Sequence, residues 1–186
     1  EVQQAINALL DNDPYENNDW KYNPGKYSQY PTYLARAVEL LGEKHYLASS
    51  LLAKKAYFEG YLLAQTATAL DERSAVRDSL RSAARHKYLD AIALDPDAPY
   101  PYYAIGAMYI YNSPYRTDSV ELWCRRAIER APGWIAPALD ISFEYKVCQS
   151  NTDIAEKWLL EAERVLPNSY LVLERKAWLR QAQGRR

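Results

Sequence analysis

The amino-acid sequence predicts an all-α protein, an α-solenoid of tandem antiparallel helix pairs preceded by a divergent N-terminal helical and loop segment. Prolines recur at a near-constant spacing, since Pro132 follows Pro96 by 36 residues and Pro167 follows Pro132 by 35. Residues of matched size stand at fixed distances from these prolines. Glycine occurs only 6 times in 186 residues, which is too few for a β-protein rich in tight turns.

The residues at matched distances indicate how the two helices of a pair would pack. Twelve residues before the three prolines stand Ala84, Val120 and Ala155, and eight residues before them stand Tyr88, Cys124 and Leu159. Five residues before the prolines stand Ala91, Ala127 and Ala162. Ten residues after the prolines stand Gly106, Ser142 and Ala177. Recurring small residues let antiparallel helices approach closely, while larger ones fill the space between them. Each proline ends the helix before it, because it lacks an N–H donor and clashes with the preceding turn.

This pattern resembles the tetratricopeptide repeat, in which an aromatic residue, a Leu-Gly pair, Tyr, Ala, an aromatic, Ala and Pro recur over about 34 residues. The resemblance extends from about residue 50 to the end of the chain. It implies repeats at about 47–98, 99–134 and 135–169 and a partial repeat at 170–186, hence three helix pairs followed by a lone helix. The last segment departs from the pattern, with Lys176 and Arg180 in place of Leu and Tyr.

The helices of the first pair are expected to be long, near 47–70 and 73–94, with Gly60 as their small residue. The second helices of the next two pairs begin with similar acidic motifs. Asp118 with Glu121, and Asp153 with Glu156, have the D-x-x-E spacing of a capping box, and each Asp stands 14 residues before its proline. We therefore expect both Asp side chains to cap their helices.

The first 46 residues do not fit the repeat and are interpreted as a helix–loop–helix arm packed on it. Residues 1–10 predict a short amphipathic helix, 11–31 a proline-containing loop, and 32–42 a second helix that ends at Gly42. The loop carries more large rings than a free tail would, namely Tyr15, Trp20, Tyr22, Tyr27 and Tyr30. We expect residues 11–31 to be ordered against the helices.

Composition and motifs argue against several function classes. The net charge of -1 gives no field that favours specific nucleic acid, and no apolar run approaches a membrane span of about 20 residues. Neither His45 nor His86 has a ligand at metal-site spacing, and Cys124 and Cys148 are interpreted as free thiols. No nucleophile elbow, zinc-protease or phosphate-loop motif occurs. The prediction is a non-enzyme without metal or cofactor.

The resemblance implies a concave face lined by the first helix of each pair, and this face would bind a protein or peptide. The predicted contact residues are Tyr57, Phe58, Tyr61, Tyr100, Tyr103, Ala107, Ile110, Leu139, Phe143, Lys146 and Trp178. They make the groove aromatic and apolar, which suits an amphipathic helix or an extended segment. The carboxylate clamp of chaperone-binding members is absent, because Tyr57, Tyr61, Tyr103 and Ala107 occupy much of its place.

Two other interpretations stay open from the sequence. The chain could be a regulatory segment of a larger multidomain signalling enzyme, or its own N-terminal arm could cover the groove. Gly184, seventeen residues after Pro167, stands where a tetratricopeptide repeat commonly turns into its second helix. We therefore expect a piece of a longer chain, with self-association through its open C-terminal end; the alternative is a last helix that serves as a solvating cap.

Overall fold

The structure is a computed structural model that describes residues 27–71, 74–110 and 116–184. The helix predicted over 1–10 and most of the loop predicted over 11–31 lie outside these ranges. The described residues form eight α-helices and no strand, which confirms the all-α class. None of these helices combines the length and apolar character needed to cross a membrane.

Eight helices follow one another along the described residues. They are α1 (Tyr30–Leu41), α2 (Ala48–Thr68), α3 (Ala75–Leu94), α4 (Pro99–Ala107), α5 (Thr117–Arg130), α6 (Ala136–Cys148), α7 (Thr152–Val165) and α8 (Tyr170–Ala182). The first two long helices of the predicted repeats correspond to α2 and α3. The remaining five occupy the segments for which the proline spacing predicts two further pairs and a last helix.

The described residues form two compact units, with the boundary between Pro96 and Asp97. The boundary predicted at residue 46 falls inside the first unit, where α1 packs against α2 and α2 against α3. Leu34 and Val38 of α1 are buried with Phe58 of α2. Helix α1 ends at the predicted Gly42, which adopts a φ of 83° and donates its N–H to the carbonyl of Val38 at 2.8 Å.

In the second unit, α6 is the central helix. It packs against α5, α7 and α8, while α4 packs against α5 and α7 against α8. Eight of its residues are buried: Ala136, Pro137, Ala138, Leu139, Asp140, Ile141, Ser142 and Glu144. A helix covered on several sides has little amphipathic periodicity, so its sequence does not reveal which side faces a partner.

The matched small residues lie where helices approach most closely. A Cβ atom added to Gly60 would lie 2.8 Å from Cε1 of Tyr88 and 3.0 Å from the carbonyl oxygen of Ala84. A Cβ added to Gly106 would lie 2.9 Å from Sγ of Cys124. Both glycines therefore permit a spacing between α2 and α3, and between α4 and α5, that a larger residue would oppose.

The other matched positions are also in the interior, with one exception. Ser142 donates a hydrogen bond from Oγ to the carbonyl of Ala155 at 2.7 Å, joining α6 to α7. Ala177 of α8 is exposed. The residues five, eight and twelve places before the three prolines are all buried: Ala84, Tyr88, Ala91, Val120, Cys124, Ala127, Ala155, Leu159 and Ala162.

The predicted capping boxes are wrong. Helix α5 begins at Thr117 and α7 at Thr152, so Asp118 and Asp153 lie inside the first turn and not at the cap. The cap of α7 is Asn151, whose Oδ1 accepts a hydrogen bond from the N–H of Ile154 at 3.1 Å. Asp118 and Asp153 still stabilise the two helices, because a negative charge in the first turn complements the helix dipole.

The glutamates of the two motifs do not reach back to the helix starts either. Glu121 accepts a hydrogen bond from the hydroxyl of Tyr145 in α6 and pairs with Arg125. Glu156 accepts a hydrogen bond from Nε2 of Gln183 at 3.0 Å. Contacts with more distant parts of the second unit thus use the carboxylates that a capping box would require.

Candidate functional site

Two of the predicted contact residues belong to the core. Phe58 is 5% exposed and Leu139 is 1% exposed, so neither offers a partner an accessible surface in this conformation. Phe58 packs with Leu34, Val38 and Leu51 in the first unit. The repeat register predicts a shared helix face for these residues, but it does not predict which of them another helix covers.

The described end of the N-terminal arm contacts the aromatic face of α2. The ring of Tyr27 lies 5.9 Å from Phe58 and 5.6 Å from Tyr61, centroid to centroid. Tyr30 lies 5.1 Å from Phe58. This part of the predicted 11–31 segment is therefore ordered against the helices. The same contacts cover part of the face that the repeat pattern assigns to a partner.

Tyr57 and Tyr61 are half-buried in this cluster. Tyr57 lies 5.3 Å from Phe58 and 5.7 Å from Tyr88, so it connects α2 to α3. Burial, followed by the nearby Tyr27, raises the pKa of Tyr61 to about 12. Burial also raises the pKa of Tyr57, so both phenols are neutral at physiological pH and contribute ring surface without charge.

A hydrogen bond connects α4 to α6 in the second unit. The hydroxyl of Tyr103 donates to Oδ2 of the buried Asp140 at 2.9 Å. The Tyr103 ring meets Trp134 edge to face at 4.7 Å. Tyr103 therefore has a structural task, because its hydroxyl solvates a carboxylate that would otherwise be buried without this donor.

The other predicted residues of α4 and its end are only partly accessible. Ile110 packs against the buried cluster of Val120, Cys124 and Ile141. Tyr100 and Ala107 are half-buried. These residues therefore offer a partner little accessible area. The larger accessible side chains of the predicted contact set lie on α6 and α8.

Four side chains of α6 and α8 meet in one patch, here called the cation–aromatic surface: Phe143, Lys146, Arg175 and Trp178. The guanidinium carbon of Arg175 lies 4.9 Å from the Phe143 ring centre and 4.9 Å from that of Trp178. Nζ of Lys146 lies 5.5 Å from the Trp178 ring centre. Trp178 is 39% exposed, so the patch is open to solvent. Three of its four residues belong to the predicted contact set.

The two units must be considered separately. Tyr57, Phe58 and Tyr61 meet in the first unit, and Phe143, Lys146 and Trp178 meet in the second, with Tyr103 joined to α6 beside them. One continuous concave surface through Tyr57, Tyr61, Tyr103 and Phe143 stays a prediction, because these residues are divided between the two units.

Helix α6 also carries a buried carboxylate next to Phe143 in the sequence. Glu144 is 0% exposed, and its Oε1 accepts a hydrogen bond from the Thr117 hydroxyl at 3.4 Å. Nε2 of Gln149 donates to the same hydroxyl at 3.0 Å. Burial raises the pKa of Glu144, and hydrogen bonds from Cys148 and Thr117 only partly oppose this.

Both cysteines are held as thiols. Burial, and then the hydrogen bond to Glu144, raise the pKa of Cys148 to about 11. Burial also raises the pKa of Cys124 well above its usual value, with further contributions from Asp140 and Glu144. Because the thiolate is the nucleophile, neither sulfur is activated for nucleophilic attack at neutral pH.

Replacing Glu144 with glutamine should stabilise the protein at neutral pH. A folded-state pKa above the unfolded value of about 4.3 means that native stability is fully present at low pH and falls as pH rises through the folded pKa. Glutamine keeps an acceptor for Thr117 and cannot ionise. The melting temperature of Glu144→Gln should therefore exceed that of the wild type increasingly as pH is raised from about 4 to 8.

Glu129→Gln is the control, since the Glu129 side chain is 70% exposed. Its melting temperature should follow that of the wild type across the same range. A Glu144→Gln variant with an unchanged pH profile would mean that the carboxylate is solvated in solution.

The first unit has an open groove of about 400 Å³ between α2 and α3. Three of the charged side chains that line it pair with one another, because Glu59 binds Lys55 at 2.9 Å and Lys87 at 2.6 Å. Burial alone would raise the pKa of Glu59, but the hydrogen bonds from the two lysines lower it overall. The groove therefore offers a ligand fewer uncompensated charges than the cation–aromatic surface does.

Some residues near these sites are not in the set predicted from the sequence. Arg175 stands three residues before Trp178, a spacing that places both on one side of a helix. The sequence therefore contained a signal that Arg175 accompanies Trp178. Trp134 lies in the turn before α6, where no periodicity applies. No group of three or more His, Cys, Asp or Glu side chains suited to a metal ion occurs within the described part of the chain.

No model of a known protein family matches the chain. A search of curated proteins finds no significant match. The resemblance to tetratricopeptide repeats accordingly stays a prediction from the spacing of residues within this sequence.

Proposed function

We propose that the chain is a tetratricopeptide-like α-solenoid that acts as a protein-interaction scaffold and holds a peptide or helix of a partner on its second unit. The observation that carries this proposal is the cation–aromatic surface, where side chains from α6 and α8 form one solvent-accessible patch. Aromatic and arginine side chains are the residue types that most often dominate binding energy at protein interfaces.

Two further features support a binding role. Tightly packed helix pairs with small residues at matched places fit a repeat scaffold, whose rigid helices hold contact side chains in position without a partner. The raised pKa values of both thiols favour binding over nucleophilic catalysis. In this proposal, Tyr103 and Asp140 fix α4 against α6 at the edge of the contact surface.

Trp178→Ala is the variant that tests the proposal most directly. A random dodecapeptide library displayed on phage should yield binders to the wild-type chain. Isothermal titration calorimetry should show that Trp178→Ala weakens the selected peptides roughly tenfold, or about 1.4 kcal/mol. Trp178 is preferred to Tyr103 because Tyr103→Ala would deprive the buried Asp140 of its hydroxyl donor and destabilise the fold.

Tyr170→Ala is the matched control. Tyr170 is an aromatic residue of the same helix, and it is 69% exposed. The selected peptides should bind this variant with wild-type affinity. Peptides that lose affinity for Tyr170→Ala but not for Trp178→Ala would show that the partner uses a different face of α8.

A further inference from the structure

The cation–aromatic surface holds two positive charges close together. Lys146 and Arg175 both lie over the ring of Trp178, at 5.5 Å and 4.9 Å from its centre. Burial, and then the charge of Arg175, lower the pKa of Lys146. Aromatic faces attract both cations, but they do not neutralise them. The patch is therefore electropositive and apolar at the same time.

Within the described residues, neither cation has an acidic partner. Among the ion pairs of the described ranges, none joins Lys146 or Arg175 to a carboxylate, whereas the adjacent Lys176 binds Glu163 at 2.6 Å.

The carboxylates on the neighbouring helices are not directed at these cations. Asp140 accepts from the Tyr103 hydroxyl. Glu144 points into the interior, where it accepts from Thr117. Glu174, next to Arg175 on α8, forms no ion pair within the described part of the chain. The positive charge of the patch is therefore available to a partner.

We propose that Lys146 and Arg175 bind a carboxylate side chain, Asp or Glu, of the partner segment, while an adjacent apolar residue of that segment packs on Phe143 and Trp178. A carboxylate matches the planar donor array of arginine and can also accept from the lysine ammonium group. This inference rests on the proposed function, because it names the chemistry of the ligand that the same surface takes. It identifies the partner as an acidic, partly apolar peptide.

An acidic peptide fits this surface better than a nucleic acid does. Both ligands could combine negative charge with stacking on aromatic rings. Nucleic-acid affinity, however, grows with the number of phosphates that basic residues neutralise. Here the patch has two cations on a chain whose net charge is -1. Two cations are enough to bind a single carboxylate.

The test uses the peptides selected by the wild-type chain from the dodecapeptide library. Those that require Trp178 should be enriched in Asp or Glu beside an apolar residue. Changing that Glu to Gln in a synthetic peptide should weaken binding to the wild type about tenfold. The same change should have less than about a twofold effect on binding to Lys146→Met or Arg175→Gln, because the charge pair is already lost.

Lys157→Met is the control, since Lys157 is an exposed lysine of α7 in the same unit. It should retain the full preference for the acidic peptide. Circular dichroism of each variant separates loss of binding from loss of folding. Methionine at position 146 retains an apolar chain that can pack on Trp178, so this variant is expected to fold.

Each result separates the inference from the proposed function. Selected peptides that need Trp178 but show no acidic preference would overturn the inference and leave the scaffold proposal intact. Peptides that bind Trp178→Ala as well as the wild type, or a library that yields no binders, would contradict the scaffold proposal itself. Binding of a uridine oligonucleotide that is as tight as that of the acidic peptide, and equally dependent on Lys146, would overturn the choice of ligand.

Discussion

Replacing Phe58 with alanine should lower the free energy of unfolding by about 3–5 kcal/mol. The Phe58 ring is 5% exposed and lies 5.1 Å from Tyr30, 5.3 Å from Tyr57 and 5.9 Å from Tyr27. Truncation removes these contacts and leaves a cavity that the surrounding rigid rings fill poorly. Urea denaturation followed by far-ultraviolet circular dichroism measures the loss.

Tyr46→Ala is the matched control in the same unit, because Tyr46 is 84% exposed. Its free energy of unfolding should stay within about 0.5 kcal/mol of the wild type. If Phe58→Ala were as mild as this control, the ring would be at the surface in solution. Phe58 would then be accessible to a partner, as the repeat register predicts.

Replacing Gly60 with alanine should lower the free energy of unfolding by about 1–3 kcal/mol. Alanine normally stabilises a helix relative to glycine, by roughly 0.5–1 kcal/mol. At this position the added methyl group would lie 2.8 Å from a ring carbon of the buried Tyr88 and 3.0 Å from the backbone oxygen of Ala84. Relief requires α2 and α3 to move apart, and this outweighs the gain in helix propensity.

Gly133→Ala is the control for this prediction, since an added Cβ there meets no atom within 4 Å. Its stability should be close to that of the wild type in the same urea denaturation experiment. A Gly60→Ala protein at least as stable as the wild type would mean that the two helices are further apart than the structure shows.

The local patterns and the repeat spacing of the sequence together predicted much of the helical structure correctly. Helix α1 ends at the predicted glycine, and α2 and α3 agree closely with the predicted long helices. The small residues at positions 60, 106 and 142 lie at close helix contacts. These features are local, or depend on one neighbouring helix, so proline, glycine and residue size carry enough information to predict them.

The helix caps and the candidate site were predicted less completely. The D-x-x-E motif has the right spacing for a capping box, but the contacts of Glu121 with Tyr145 and Arg125 use its carboxylate differently. Phe143, Lys146 and Trp178 were predicted as contact residues and do meet. Arg175 was not predicted, although its spacing to Trp178 places both on one side of a helix; its contact with Phe143 depends on how α8 lies against α6.

The sequence by itself determined the helical class, the order of the helices and the small residues between them. Each follows from proline punctuation, from glycine scarcity and from the repeated residue sizes along the chain. Only the tertiary structure decided that Phe58 and Leu139 are buried, that Glu144 is an interior carboxylate, and that Lys146 and Arg175 share one aromatic ring. The physical reason is that α6 is covered by three helices, and α2 by α1, α3 and the ring of Tyr27. An apolar residue on either helix therefore has no periodic signal that separates core from contact surface.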